Sequence, residues 1–276
     1  MKYDRMRDPE KHAHIWLGRY VVRSEAQVFR NWTMLPFETP ADAVLRFGAD
    51  WGFSRDPTVL VRCFIGRWAG EPGSSDVIAD AKGTYLFVDQ EAYAIGCPID
   101  ATPALFAGND TRRPARWENK FGYRGLNGAS SLKITADSAR PETIDYMASR
   151  GFSIVPAIKG PGSVEEGVNF LKSYDIVVNP RRRHLVDELI HYSWAIDRQT
   201  KEILSKLAET HNHVIDALRY ALEGARKARG GGFNFASSGR RVMSTAYEHM
   251  LGVRSGSNSQ IGWGTAPGRF RGILDR

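Results

Sequence analysis

The apolar positions in the first third of the chain fall into three short runs. These are AVLRFGAD at 43–50, TVLVRCFI at 58–65 and GTYLFVDQEAY at 83–93, and they are rich in Val, Leu, Phe and Tyr. Residues that favour turns separate them by short connections, a pattern typical of strands paired in an antiparallel meander. We therefore expect three antiparallel strands in this part of the chain.

From residue 132 onward the pattern changes to strands that alternate with helices. Alternation of this kind needs crossover connections, so these strands are expected to be parallel. The predicted strands are LKITAD, FSIVPAI and DIVVNP, and the predicted helices are PETIDYMASRG, SVEEGVNFLKSY, RRRHLVDELIHYSW and HNHVIDALRYALEGARKA. Together with the meander they predict an α/β fold, a mixed sheet of antiparallel strands 1–3 followed by parallel strands, flanked by helices.

Two segments give weaker patterns. Residues 1–40 begin as a polar helical stretch and continue into IWLGRYVVRSEAQVFRNW, which is typical of a short hairpin or of a linker with aromatic anchors. Between residues 97 and 130, PIDATPALF favours the start of a helix and the remainder favours a loop. No run of about 18 apolar residues occurs, and the N-terminus is too polar for a signal peptide. We therefore expect a soluble, intracellular protein with no membrane segment.

The net charge of +7 is concentrated at the C-terminal end. Residues 224–276 contain nine basic and two acidic residues, which account for the whole net charge, and Gly, Ser and aromatic residues lie between them. This composition predicts a mobile arm that contacts phosphates and stacks on bases or on a protein partner. The alternative is a tail that only increases solubility.

Three aspartates occupy unusual positions in this pattern. Asp50 ends the first predicted strand, Asp137 ends LKITAD, and Asp216 lies in the first turns of the last helix, with His213 three residues before it on the same helical face. Clustered carboxylates repel one another unless a cation neutralises them, and oxygen ligands of this kind suit magnesium or manganese. Each residue also has a structural explanation: Asp50 as a turn former, Asp137 as a helix cap, and Asp216 with His213 as a helix-start pair.

Four motifs in this order resemble a known family. FGADWGFSRDPT, VDQEAY, the long stretch ADSARPETIDYMASRGFSIVPAIKGPGSVEEGVNFLK, and HNHVIDALRYAL are similar to the nuclease domain of the large terminase subunit of tailed bacteriophages and prophages. The resemblance covers about residues 40–224. The preceding segment IWLGRYVVRSEAQVFRNW is similar to the connection between the motor and the nuclease of that family.

The resemblance implies a ribonuclease H-like fold and a metal-dependent endonuclease that cuts concatemeric double-stranded viral DNA during genome packaging. Asp50, Asp137 and Asp216 match the family's metal-binding aspartates, which would hold two Mg²⁺ or Mn²⁺ ions for phosphodiester hydrolysis. His213 matches a histidine that some members carry beside the last aspartate, and it is counted with the catalytic residues.

The resemblance also covers residues with less certain roles. Glu91 matches an acidic position that either supports the metal site or acts as a third-strand ligand, with a structural ion pair as the alternative. Lys159, beside a Gly-Pro-Gly turn, is predicted to contact the DNA backbone, with an ordinary solvated loop lysine as the alternative. Arg226, Lys227 and Arg229 at the start of the basic tail are also predicted to bind nucleic acid.

One departure from the family is clear. The chain has no GxxxxGK[ST] loop, which an ATPase motor requires. The predicted organisation is therefore a linker from an absent motor domain (1–40), an RNase H-like nuclease domain (41–224) and a basic Gly/Ser-rich tail (225–276), in a fragment or a split terminase. The family's partners would be double-stranded DNA, the portal protein, the small terminase subunit and a separate ATPase motor, in the host cytoplasm.

Two other functions remain open at the level of sequence. A junction resolvase or transposase-like nuclease of the same fold would share the acidic cluster, although ADSARPE and HNHVIDALRY fit it less well. A catalytically silent module that docks to DNA or to the portal would depend on the basic tail instead.

Overall fold

The computed structural model describes residues 25–52, 54–74, 76–110, 116–197, 199–208, 210 and 212–229. The predicted basic tail beyond residue 229, and the first 24 residues of the predicted linker, lie outside these described residues.

The strands and helices follow in the order β1, β2, β3, β4, β5, α1, β6, α2, β7, α3, β8, α4, β9, β10, α5, α6. The strands are β1 (Trp32–Met34), β2 (Arg46–Asp50), β3 (Pro57–Trp68), β4 (Val77–Ala79), β5 (Tyr85–Ile95), β6 (Ile134–Ala136), β7 (Ile154–Pro156), β8 (Asp175–Val178), β9 (Trp194–Ile196) and β10 (Ile203–Leu207). The helices are α1 (Thr102–Ala107), α2 (Pro141–Ser149), α3 (Ser163–Lys172), α4 (Arg183–His191), α5 (His213–Ala221) and α6 (Glu223–Ala228).

The central strands form the predicted antiparallel meander. β3 pairs antiparallel with β2 on one side and with β5 on the other. Val59 of β3 faces Asp50 of β2 and Tyr93 of β5 in the register. These three residues therefore form one row across the sheet, with their side chains on the same face.

The later strands add to this meander in parallel, as predicted. β6 pairs parallel with β2 and β7, and β8 pairs parallel with β5 and β1. The order across the sheet is β1-β8-β5-β3-β2-β6-β7, with β4 paired to β3. The predicted fold class, a mixed sheet flanked by helices, is confirmed.

Several elements differ from the sequence-based expectation. Residues 25–40, predicted as part of a linker, contribute β1 to the sheet and bury Phe29 and Trp32. The helix predicted over 181–194 ends at His191, because Tyr192 is extended and Trp194 begins the β9–β10 hairpin, which the pattern did not predict. The long final helix is divided at Leu222 into α5 and α6.

The sheet separates two layers of helices. One face packs on α3, α4 and α5 through a buried cluster that includes Val59, Leu189 and Leu218. The other face packs on α1 and α2 through Phe106 and Met147. Among the described residues no helix is long and apolar enough to cross a bilayer.

Helix α5 lies unusually close to β2. A Cβ atom placed on Gly48 would be 1.9 Å from the carbonyl oxygen of Ala217 and 2.4 Å from the nitrogen of Ala221. Only a residue without a side chain permits this approach. Gly48 therefore allows the helix that carries Asp216 to reach the strand that carries Asp50.

Candidate active site

Asp50 ends β2 and is buried, with 7% of its surface exposed. Its Oδ2 accepts a hydrogen bond from Nδ1 of His213 at 3.0 Å. Burial is the main cause that raises the pKa of Asp50 to about 6; the hydrogen bond from His213 lowers it, and the negative charges of Asp216 and Asp137 raise it. Asp50 is therefore a buried carboxyl group that carries its negative charge at a cost near neutral pH.

Asp137 follows β6 directly, and the backbone holds it next to β2. Its N–H donates to the carbonyl oxygen of Ala49 at 2.9 Å, and its own carbonyl oxygen accepts from Nε1 of Trp51 at 2.8 Å. The carboxylate accepts from the N–H of Ala139 and forms an ion pair with Lys159. Trp51, the residue after Asp50, thus fixes the segment that carries the second aspartate.

Asp216 lies in the first turn of α5. Its Oδ1 accepts from Nε of Arg219 at 2.9 Å and from a terminal nitrogen of the same guanidinium at 2.7 Å, and its Oδ2 accepts from Asn212 at 3.1 Å. The side chain of Arg219 is almost fully buried. A buried ion pair, in which two guanidinium nitrogens of Arg219 share one carboxylate oxygen, therefore orients Asp216.

Asp50, Asp137 and Asp216, together the carboxylate site, come from distant parts of the chain to one end of the sheet. Ala49 pairs with Ala136 where β2 runs parallel to β6, so the two strands end side by side. The close packing at Gly48 brings the start of α5 over the same end. The sequence predicted that these three residues gather, and the structure places them together.

In this structure each carboxylate of the site has a cationic side chain beside it: His213, Lys159 or Arg219. Within the described part of the chain, no group of three or more His, Cys, Asp or Glu side chains is positioned as a finished metal site. The donor chemistry nevertheless fits, because hard divalent cations take carboxylate oxygens and because three neighbouring aspartates repel one another without a cation. His213 engages only Oδ2 of Asp50 and Lys159 only Oδ1 of Asp137, so each of these carboxylates keeps a second oxygen as a potential ligand.

His213 begins α5 and lies between two carboxylates. Its Nδ1 faces Asp50, and its Nε2 lies 3.7 Å from Oδ1 of Asp56. The hydrogen bond with Asp50 is the main cause that raises the pKa of His213, although partial burial opposes it. The imidazole therefore holds a proton at higher pH than an isolated histidine does.

Glu91 lies outside the carboxylate site. Its carboxylate accepts from the backbone N–H groups of His184 and Leu185 at the start of α4, and it lies 3.1 Å from Nδ1 of His184. The His184 ring stacks on Tyr93 with centroids 3.8 Å apart. In this structure Glu91 thus caps α4, in agreement with the structural alternative for this residue.

The predicted DNA-binding cations at the start of the tail have partners within the described fold. Arg226 pairs with Glu166, and Lys227 pairs with Glu223. Arg229 donates to the carbonyl oxygens of Ala81 and Gly83 and lies over the ring of Tyr174. These contacts hold α6 against the sheet and the neighbouring helix α3.

Pattern-based reasoning missed two residues that support the site, Glu188 and Arg219. Glu188 of α4 is buried, and its carboxylate accepts from the N–H groups of Val214 and Ile215 in the first turn of α5. Burial is the main cause that raises the pKa of Glu188 to about 7, whereas these two hydrogen bonds lower it. The available signals were an acidic residue on the apolar face of VDELI and an arginine three positions after Asp216.

Comparison with known proteins gives consistent matches. Residues 127–224 match the family model of the terminase RNase H-like domain. The large terminase subunit of Bacillus phage SPP1 is 28% identical over 232 residues, which cover 81% of this chain and 47% of that protein, so the chain spans about half the length of this curated relative.

Two solved structures are similar to this chain. The nuclease domain of the P22 large terminase has 15% identity and a TM-score of 0.48, covering 74% of this chain and 94% of that domain. The manganese-bound nuclease domain of the large terminase from bacteriophage SPP1 has 24% identity and a TM-score of 0.53, covering 71% of this chain and 97% of that domain. The family match over residues 127–224 and the similarity to the SPP1 large terminase subunit confirm the resemblance found in the sequence, and the SPP1 nuclease domain shares the fold.

Proposed function

We propose that this chain is a divalent-metal-dependent DNA endonuclease of the large terminase type, which cuts concatemeric double-stranded viral DNA during genome packaging. The observation that carries the proposal is the convergence of Asp50, Asp137 and Asp216 at one end of a terminase-like sheet. The manganese found in the SPP1 nuclease domain supports a divalent ion for this family.

In this proposal Asp50, Asp137 and Asp216 would hold two Mg²⁺ or Mn²⁺ ions. Bound ions of this type lower the pKa of a coordinated water and stabilise the charge on a departing oxygen. The protein contributes the arrangement of the ligands: Trp51 fixes the Asp137 segment and Arg219 orients Asp216.

His213 has a separate part in the proposed reaction. Its pKa is raised by Asp50, so the ring is protonated over a wider pH range than an isolated histidine. It therefore holds a proton next to the carboxylate site, which it can give to the departing 3′ oxygen. Lys159 pairs with Asp137 and, once released, is available for a phosphate of the DNA backbone.

The proposed organisation follows the family. The nuclease domain would occupy residues 41–224 with the edge strand β1 before it, and the basic segment 225–276 would bind DNA or the portal protein. A separate ATPase motor and the small terminase subunit would complete the packaging machine in the host cytoplasm. Deletion of residues 230–276 is the direct test of the tail, because the described residues include the whole carboxylate site.

Plasmid cleavage with Mn²⁺, Mg²⁺ or a chelator tests the proposed activity. We expect nicked and linear products with the metals and none with the chelator. Asp137→Asn should lower the rate at least about 100-fold, because it removes one charged metal ligand. Asp145→Asn, at an exposed position of α2, is the matched control and should cut at the wild-type rate.

Two results would contradict the proposal. One is cleavage by a folded Asp137→Asn protein at the wild-type rate, and the other is cleavage that continues in chelator. Activity restricted to branched DNA would instead favour a resolvase-like enzyme. A protein that binds duplex DNA but neither binds Mn²⁺ nor cuts would be a docking module.

A further inference from the structure

A groove borders the sheet on the side of β5 away from β3. β8 pairs with β5 only over Tyr85–Val88, so among the described residues no strand covers the second half of that edge. The turn before α4 and the loop 123–127 form the walls of a groove of about 540 Å³. Three arginines line it, Arg124, Arg181 and Arg182, and we refer to it as the arginine groove.

Within the described part of the chain, the arginines of the groove form no ion pair with a carboxylate. The side chains of Arg124 and Arg181 are exposed and form no hydrogen bond or ion pair with the described residues. Arg182 is half-buried, and its Nε, which is shielded from solvent, has no hydrogen-bond partner there. The exposed guanidinium groups of Arg124 and Arg181 are therefore open to an anionic acceptor from outside the chain.

The carboxylates nearest to the groove are already engaged. Glu91 accepts from the first turn of α4 and faces His184, and Asp89 forms a buried, two-bond ion pair with Arg62. The groove therefore carries an excess of positive charge.

The groove lies beside the carboxylate site. Tyr93, which also lines the groove, stands in the same row as Val59 and Asp50. Adjacent strands are about 4.8 Å apart, so Tyr93 on β5 lies two strand spacings, or about 10 Å, from Asp50 on β2. That distance corresponds to about three base-pair steps along a duplex, so one DNA molecule can reach both places.

We propose that Arg124, Arg181 and Arg182 bind the phosphate backbone of duplex DNA next to the carboxylate site. This inference rests on the proposed function, and it adds a specific surface that positions the substrate. A pocket for a small organic ligand is the less suitable interpretation, since such pockets are mostly apolar, whereas this groove is lined by arginines and open along the sheet edge. Guanidinium groups match phosphate geometry and are always charged.

The salt dependence of DNA binding tests this inference. Binding of a labelled duplex to the full chain is measured by fluorescence anisotropy at several salt concentrations, with chelator present so that no cleavage occurs. Each phosphate contact contributes about 0.9 to the slope of log affinity against log salt. Arg181→Ala/Arg182→Ala should therefore lower the slope by about 2 and weaken binding roughly 10- to 100-fold near 0.1 M salt.

Two variants serve as controls. Arg67→Ala/Lys82→Ala removes the same charge at the opposite end of β3, about 25 Å along the strand, and should leave the slope unchanged. Arg181→Lys/Arg182→Lys keeps the charge and should retain most of the slope. Circular dichroism and thermal unfolding establish that each variant is folded.

Two results would overturn the inference. One is that the double alanine and the double lysine variants lose the same amount of DNA affinity and of salt slope. The other is that the folded double alanine variant keeps the wild-type slope. This result is independent of cleavage. If the wild-type protein does not cut plasmid but its DNA binding depends on these arginines, DNA binding at the groove is supported and the nuclease proposal is wrong. If the wild-type protein cuts plasmid and the double alanine variant keeps the wild-type salt slope, the nuclease proposal is supported and DNA binding at the groove is wrong.

Discussion

The carboxylate site and the arginine groove adjoin the two ends of one row across the sheet, at Asp50 and at Tyr93, but differ in how their charges are compensated. Asp50, Asp137 and Asp216 each have a cation from the same chain beside them. The three arginines of the groove have no anionic partner among the described residues. The chain thus neutralises its anions internally and leaves these cations for an external partner.

The difference follows from burial. The aspartates lie where strand ends and a close helix exclude water, and a buried carboxylate without a partner is costly. Arg124 and Arg181 extend from a loop and a turn, where their exposed side chains stay hydrated, and only Arg182 is half-buried. The carboxylate site can therefore form during folding without metal, while the groove keeps two exposed guanidinium groups.

The largest effect is expected from Gly48→Ala, which breaks the carboxylate site and leaves the groove in place. The new Cβ would overlap backbone atoms of Ala217 and Ala221, so β2 and α5 must move apart. We expect a loss of at least about 4 kcal/mol in the free energy of unfolding, or no folded protein. Chemical denaturation measures it.

Gly224→Ala is the matched control for this change. Gly48 lies in the strand β2, whereas Gly224 lies in the helix α6, where a Cβ meets nothing within 4 Å. This substitution should stabilise the protein by up to about 1 kcal/mol, because alanine favours helix more than glycine does. Equal effects of the two substitutions would show that the close approach of α5 to β2 is not needed.

The second prediction compares two counter-ions of the carboxylate site. Arg219→Ala leaves Asp216 without its buried partner and should destabilise the fold by about 3 kcal/mol. Lys159→Ala removes a partner whose side chain is 43% exposed and should cost less than about 1 kcal/mol. Urea denaturation measures the free energy of unfolding of both variants. A larger loss of stability for Lys159→Ala than for Arg219→Ala would contradict the conclusion that the pair with Arg219 supports the fold.

The third prediction concerns Glu188, which connects the two regions. It lies on α4, whose start borders the groove. Its carboxylate caps α5, the helix that carries Asp216. Its pKa is raised in the folded state from 4.5 to about 7, so the folded protein binds this proton more tightly than the unfolded chain does. The contribution of Glu188 to stability is therefore present at low pH and is lost as the pH rises through about 7.

Glu188→Gln should remove this pH dependence while it keeps an acceptor for the N–H groups of α5. As the pH rises from 5 to 7, we expect the free energy of unfolding of the variant to increase by roughly 2 kcal/mol relative to that of the wild-type protein. Denaturation curves across this range measure the difference, with exposed Glu142→Gln as the control. Parallel pH profiles for wild type and Glu188→Gln would contradict the raised pKa.

Much of the fold could be predicted because its signals are local. Runs of β-branched and aromatic residues separated by turns define β2, β3 and β5, and the alternation after residue 132 requires crossovers and parallel strands. β1 and the β9–β10 hairpin could not be predicted in this way. Their strands are short, and their pairing depends on neighbours that only the folded sheet supplies, such as β8 for β1.

The sequence alone determined which residues could form the site and the family that the chain resembles. Aspartates at two strand ends and one helix start were visible in the pattern. Only the tertiary structure decided how they are held: Gly48 permits the close approach of α5, Trp51 bonds to the Asp137 backbone, and Glu188 caps the helix of Asp216. The physical reason is that a hydrogen bond or an ion pair depends on distance and burial. Residues that are 26 positions apart, as Glu188 and Val214 are, or 86 positions apart, as Trp51 and Asp137 are, acquire both only when the chain folds.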